Sequence, residues 1–104
     1  NFVDGASVES IGELNYNICK KNIKNVFTVS NPKICYEMVN LYQEDGIIVE
    51  PAGALSIAGL EQIPNIKNKT IVCIISGGNN DLLRYPEITE YALQYKNKKF
   101  YFLI

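Results

Sequence analysis

Thr70-Ile71-Val72-Cys73-Ile74-Ile75-Ser76-Gly77-Gly78-Asn79-Asn80-Asp81 is the stretch whose reading decides the fold. Residues 70–75 are β-branched or apolar, bounded by turn formers and too short for a typical helix, so they read as a buried strand. Residues 76–81 read as the loop leaving that strand's carboxyl end. In open α/β sheets ligands bind outside the carboxyl ends of strands. The two glycines there let a backbone approach a ligand closely.

Working outward, Ile88, Tyr91, Ala92 and Tyr95 recur at helical spacing, which predicts a helix over Pro86–Tyr95. Phe100–Ile104 reads as a further strand. Upstream, Pro51 marks a first helical turn with Glu50 at the capping position. Ala54, Leu55, Ile57, Ala58 and Leu60 follow, a helix apolar on nearly all sides and so buried in a larger body. Its small residues permit close approach to another segment. Ile47-Ile48-Val49 is a short extended step. A helix starting at Asn31-Pro32 and ending at Gly46 carries Met38 and Tyr42 on its core stripe. Val26–Ser30 is a strand, and a helix over about Val8–Lys21 precedes it. Helices alternating with strands predict an α/β fold. The expected architecture is a partial, largely parallel sheet with crossover helices, truncated at both ends.

The 104 residues fit one small domain or a piece of a larger one, with a formal net charge of -1. Acidic and basic residues are interspersed, so no basic stripe argues for nucleic acid. The run Ile71–Ile75 is too short to cross a membrane, and Asn1–Glu9 lacks the pattern of a signal peptide. Cys19, Cys35 and Cys73 form no CxxC pair, and the chain has no His. A metal site is therefore not expected, and buried, reduced thiols in a cytoplasmic protein are. The lack of His also removes the commonest general base and the usual catalytic triads. The lysines all read as solvated residues on polar faces or loops.

Two features could bind a ligand: the loop Ser76-Gly77-Gly78-Asn79 and the segment Glu50-Pro51-Ala52-Gly53-Ala54. Each has a plain structural reading. The first can be a tight turn, and the second a carboxylate capping its own helix. Together with Phe2-Val3-Asp4-Gly5-Ala6, in this order and at these separations, they are more specific. The chain resembles the later part of the catalytic domain of the biosynthetic threonine dehydratases (threonine ammonia-lyases). These are pyridoxal-phosphate enzymes of the tryptophan-synthase-β fold group. The resemblance covers essentially all 104 residues, through Lys99-Phe100-Tyr101-Phe102-Leu103.

What the resemblance implies is a segment of a lyase that converts L-threonine to 2-oxobutanoate and ammonia, in isoleucine biosynthesis. Ser76 would face the pyridine nitrogen of pyridoxal 5'-phosphate as a neutral hydrogen-bond partner. Gly77 and Gly78 would let the backbone pass beside the ring, Asn79 would brace the loop, and Glu50 would lie near the ring edge. No catalytic acid or base is assigned. The family's Schiff-base lysine and glycine-rich phosphate cradle lie before the equivalent of Asn1, so the segment alone is expected to be inactive. Its expected partners are the rest of the parent catalytic domain, an amino-acid substrate and further copies in a homo-oligomer. Two alternatives stand beside this: a serine racemase or serine dehydratase segment, and a small flavodoxin-like module binding a phosphate ligand.

Overall fold

In the computed structural model, which describes residues 2–102, helices pack on helices and extended segments connect them. The helices are α1 (Glu13–Asn22), α2 (Asn31–Asp45), α3 (Leu55–Ala58) and α4 (Tyr85–Tyr95). Short 3₁₀ turns span Asp4–Ala6, Pro51–Ala54, Leu60–Gln62 and Leu82–Arg84.

The core lies where α2 meets α4. Ile34, Cys35, Met38 and Leu41 recur on one face of α2, and Ile88 and Ala92 on the facing side of α4; all are buried. Burial pushes the Cys35 thiol up to about 12, which keeps it protonated and inert at neutral pH. Pro32 and Pro86 lie in the first turns of α2 and α4, where a missing N–H costs nothing. Ser30, with extended dihedrals, caps α2 in place of Asn31. Gly46 closes α2 in a left-handed conformation: its N–H donates to the Tyr42 carbonyl and that of Ile47 to the Leu41 carbonyl. The Asp81 carboxylate accepts from the Leu83 N–H at 2.9 Å and so caps the turn that leads into α4.

The expected α/β class is overturned. Among the described residues there is no strand and no sheet. The predicted strands at 26–30, 47–49 and 70–75 form neither strand nor helix, and neither do residues 100–102; residues 103 and 104 lie outside the described residues. Composition selects extended dihedrals, but a sheet also needs a second backbone about 4.8 Å away. Here side chains take carbonyls that a ladder would use. Gln62 Nε2 donates to the Thr28 carbonyl at 2.6 Å, Ser56 Oγ to Ile74 at 2.7 Å and Asn80 Nδ2 to Val49 at 3.0 Å. The flavodoxin-like alternative requires a complete sheet and falls with it.

Three further expectations are corrected. The first helix begins at Glu13 rather than near Val8, and its apolar stripe (Ile11, Leu14, Ile18) is exposed because α1 packs on no other helix. Tyr42 points outward, while Met38 is core as expected. Lys33 is buried rather than solvated: its Nζ pairs with Glu37 at 2.8 Å and Glu61 at 3.0 Å, 4.9 Å from the Tyr95 ring centre. Burial pulls this ammonium down, but hydrogen bonds to Glu37, Glu61 and Tyr95 outweigh it and hold Lys33 above its usual value. The cluster ties α2, α4 and the Leu60–Gln62 turn together. All three cysteines are free; Cys35 is buried, Cys73 half-buried and Cys19 exposed.

The chain is open for its size. It exposes 8185 Å², where a compact monomer of 11.7 kDa exposes about 5,900 Å². Its radius of gyration is 15.5 Å, against about 13 Å for a compact domain of this length. The excess includes Val26, Val72 and Ile74 of the extended segments, Val72 being 84% exposed. Among the described residues no helix is long and apolar enough to cross a membrane.

Candidate functional site

The three motifs separated in sequence meet in space. Segment 47–50 runs beside 76–80, held by the Glu50 N–H donating to the Gly77 carbonyl at 3.3 Å. On one side of this contact the Pro51–Ala54 turn presses its backbone on the loop. A Cβ on Gly53 would overlap the Ser76 carbonyl and stand 2.6 Å from that of Gly77. Only glycine fits there, because both obstacles are backbone. On the other side the Glu50 carboxylate covers the Cα of Gly77, whose φ is +76°. A side chain at Gly77 would collide with that carboxylate and occupy a dihedral region unfavourable to it. The Asp4–Ala6 turn completes the cluster: a Cβ on Gly5 would lie 3.2 Å from Ala52 Cβ and 3.3 Å from Glu50 Oε1.

Glu50 does occupy the capping position of the Pro51–Ala54 turn, but its carboxylate does not cap it. It has the extended dihedrals of a capping residue, but its side chain makes no cap hydrogen bond. Its own carbonyl instead accepts from the Gly53 N–H at 2.9 Å. The carboxylate, half-buried, is aimed across the loop at Gly77. Ser76, Gly77, Gly78 and Asn79 lie exposed along the same edge, a surface of one hydroxyl and two side-chain-free residues. Such a surface admits a flat ring against the backbone.

The side chain that ties this loop to 47–50 belongs to a residue that sequence reasoning passed over. Asn79 is exposed, while Asn80 is half-buried and donates through Nδ2 to the Val49 carbonyl. Adjacent asparagines cannot be told apart by composition; which one turns inward depends on the backbone path after Gly78. Gly53 lay within the small-residue run expected to allow close approach, and the loop it approaches is now identified.

A hollow of about 220 Å³ between α2 and α4 is lined by Met38, Tyr42, Ile48, Val49, Tyr85 and Ile88, among others, and by neither Glu50 nor the Ser76–Asn79 loop. Chemistry and concavity thus lie apart, as they do when one wall of a site stands without the others.

Comparison with known proteins places the chain. Residues 1–77 match the family described as pyridoxal-phosphate dependent enzyme. The chain belongs to that family. It is 53% identical over 105 aligned residues to the biosynthetic L-threonine dehydratase of Corynebacterium glutamicum, covering 99% of this chain and 24% of that protein. The corresponding enzymes of Staphylococcus aureus and Halalkalibacterium halodurans are each 46% identical over 104 residues, with 99% of this chain and 25% of theirs covered. The chain thus spans about a quarter of the length of the curated relatives it matches.

The residues present fit part of the cofactor and not all of it. The exposed backbone of Gly77–Gly78, with the Glu50 carboxylate against Gly77, and the exposed Ser76 suit one side of a planar heteroaromatic ring. The buried ammonium of Lys33 is already paired with two carboxylates and is not free for a phosphate.

Proposed function

We propose that this chain is a C-terminal portion of the catalytic domain of a cytoplasmic L-threonine dehydratase, forming one wall of its pyridoxal-phosphate site. The observation that carries the reading is 53% identity, spanning nearly the whole chain, to a protein with that activity. The apposition of Glu50 and Gly53 with Ser76–Gly78 supports it. The parent reaction is the conversion of L-threonine to 2-oxobutanoate and ammonia, the bound cofactor supplying the electron sink for the α-carbon.

The residues of this chain act by position. The Ser76 hydroxyl would hold the ring nitrogen as a neutral hydrogen-bond donor, which favours the unprotonated nitrogen. Gly77 and Gly78 would let the backbone pass close beside the ring. Glu50, turned across Gly77, sets the negative charge of this wall, and Asn79 stands at its exposed end. The partners are the remaining parts of the catalytic domain, an amino-acid substrate and further copies of the enzyme. The surface in excess of a compact fold, about 2,300 Å², is of the size that permanent interfaces bury. Serine, one hydroxyl-bearing homologue smaller than threonine, is the runner-up substrate.

On this reading the lysine anchor and the phosphate cradle belong to other segments of the parent enzyme. Incubated with pyridoxal phosphate and freed of excess, the isolated chain is expected to retain no visible chromophore and to form no 2-oxobutanoate from threonine. Specific turnover by these 104 residues alone would contradict the assignment of the anchor to another segment.

A further inference from the structure

We infer that Asn80 is the positioning residue that sets the spacing between the two halves of this wall, the Glu50 side and the Ser76–Gly78 side. The inference rests on the pyridoxal-phosphate reading above. Two bonds converge on this residue. Its carboxamide Nδ2 donates to the Val49 carbonyl at 3.0 Å, and its backbone N–H closes a tight turn onto the Gly78 carbonyl at 2.9 Å. Val49 is buried and directly precedes Glu50, so its carbonyl is a fixed point beside the carboxylate. Gly78 directly follows the glycine that the carboxylate covers. Asn80 therefore spans from one half to the other through a single side chain.

The remaining direct link between the segments is the backbone bond from Glu50 N–H to the Gly77 carbonyl, at 3.3 Å the longer of the two. Without the carboxamide, the loop can swing about that bond. Gly77 and Gly78 resist this little, because glycine backbones are permissive. Ser76 and Glu50 would then lose their common register. Ser56 offers a matched comparison. Its hydroxyl donates to the Ile74 carbonyl, so it anchors the same segment two residues before Ser76 without touching the loop. Losing either hydrogen bond costs a similar, small amount of stability. Of these two side-chain bonds, the Asn80 bond joins the two halves of the site and the Ser56 bond does not.

The test uses the longer enzyme that carries this segment, loaded with pyridoxal phosphate. Asn80→Ala, Asn80→Asp and Ser56→Ala are compared with wild type for the visible band of the bound cofactor, its dissociation constant and the thermal midpoint. Asn80→Asp keeps the shape and places an acceptor against the Val49 carbonyl. Both Asn80 variants are expected to shift the visible band and to weaken cofactor binding about fivefold or more. Ser56→Ala is expected to match wild type in both while its midpoint falls as far as that of Asn80→Ala. Asn80 variants that match Ser56→Ala in band and affinity overturn the role of Asn80 alone. So does a failure of both Asn80 variants to fold when Ser56→Ala folds, since that marks a general stability residue. A wild-type enzyme that retains no cofactor overturns instead the reading on which the inference rests.

Discussion

Gly53→Ala is expected to destabilise the protein by about 3 kcal/mol and to abolish cofactor retention by the parent enzyme. The added methyl overlaps the Ser76 carbonyl and crowds that of Gly77. Neither obstacle is a flexible side-chain end, so relief requires the two backbones to separate. Separation breaks the Glu50 N–H bond to Gly77 and carries Ser76 away from Glu50. The variant therefore strikes stability and the site together. Gly12→Ala is the control, because a Cβ there meets nothing within 4 Å. It is expected to stay within about 0.5 kcal/mol of wild type. Chemical denaturation gives the stabilities, and the visible cofactor band after gel filtration gives the retention. A Gly53→Ala protein with wild-type stability and a normal band would show that the two segments are not in contact.

Ile88→Ala is expected to cost between about 2 and 5 kcal/mol. Ile88 is fully buried where α4 faces α2, among Ile34, Cys35 and Met38. Truncation leaves a void in the part of the chain that supports everything else, because the extended segments form no ladder of their own. Leu83→Ala removes a side chain of similar size that is 88% exposed, and is expected to change stability by less than about 0.5 kcal/mol. The ratio of the two losses, read from denaturation midpoints, reports whether α2 and α4 form the core. Equal losses would place the core elsewhere. In contrast to Gly53→Ala, the Ile88 variant is expected to leave the cofactor band unchanged in whatever fraction remains folded.

The helices were legible because their signals are local. Pro32 and Gly46 bracket α2, Pro86 opens α4, and the apolar spacing predicts the buried face of each except at Tyr42 and Tyr95, which are exposed. The sheet was misread because pairing is not local. Val26–Ser30, Ile47–Val49 and Thr70–Ile75 have the composition of strands, yet the chain forms no strand there. Extended dihedrals without a neighbouring backbone make no ladder, and side chains of Gln62, Ser56 and Asn80 bond to those carbonyls instead. α1 shows the same division: its apolar spacing is real, but among the described residues no other helix packs on it.

The candidate site was legible as two motifs, and its geometry was not. Glu50 could have capped its own turn; only the three-dimensional path shows the carboxylate lying over Gly77. The choice between Asn79 and Asn80, and the burial of Lys33 between two glutamates, likewise depend on contacts between residues far apart in the chain.

The central claim is that Ser76 faces the ring nitrogen of pyridoxal phosphate in the parent enzyme. It is tested most directly by the nitrogen-15 resonance of ring-labelled cofactor bound to wild type and to Ser76→Asp. A hydroxyl partner leaves the nitrogen unprotonated, whereas a carboxylate stabilises its protonated form. The expected result is an unprotonated ring nitrogen in wild type that becomes protonated in Ser76→Asp. A resonance that is the same in both proteins would contradict the account, because it would mean that position 76 does not touch that atom.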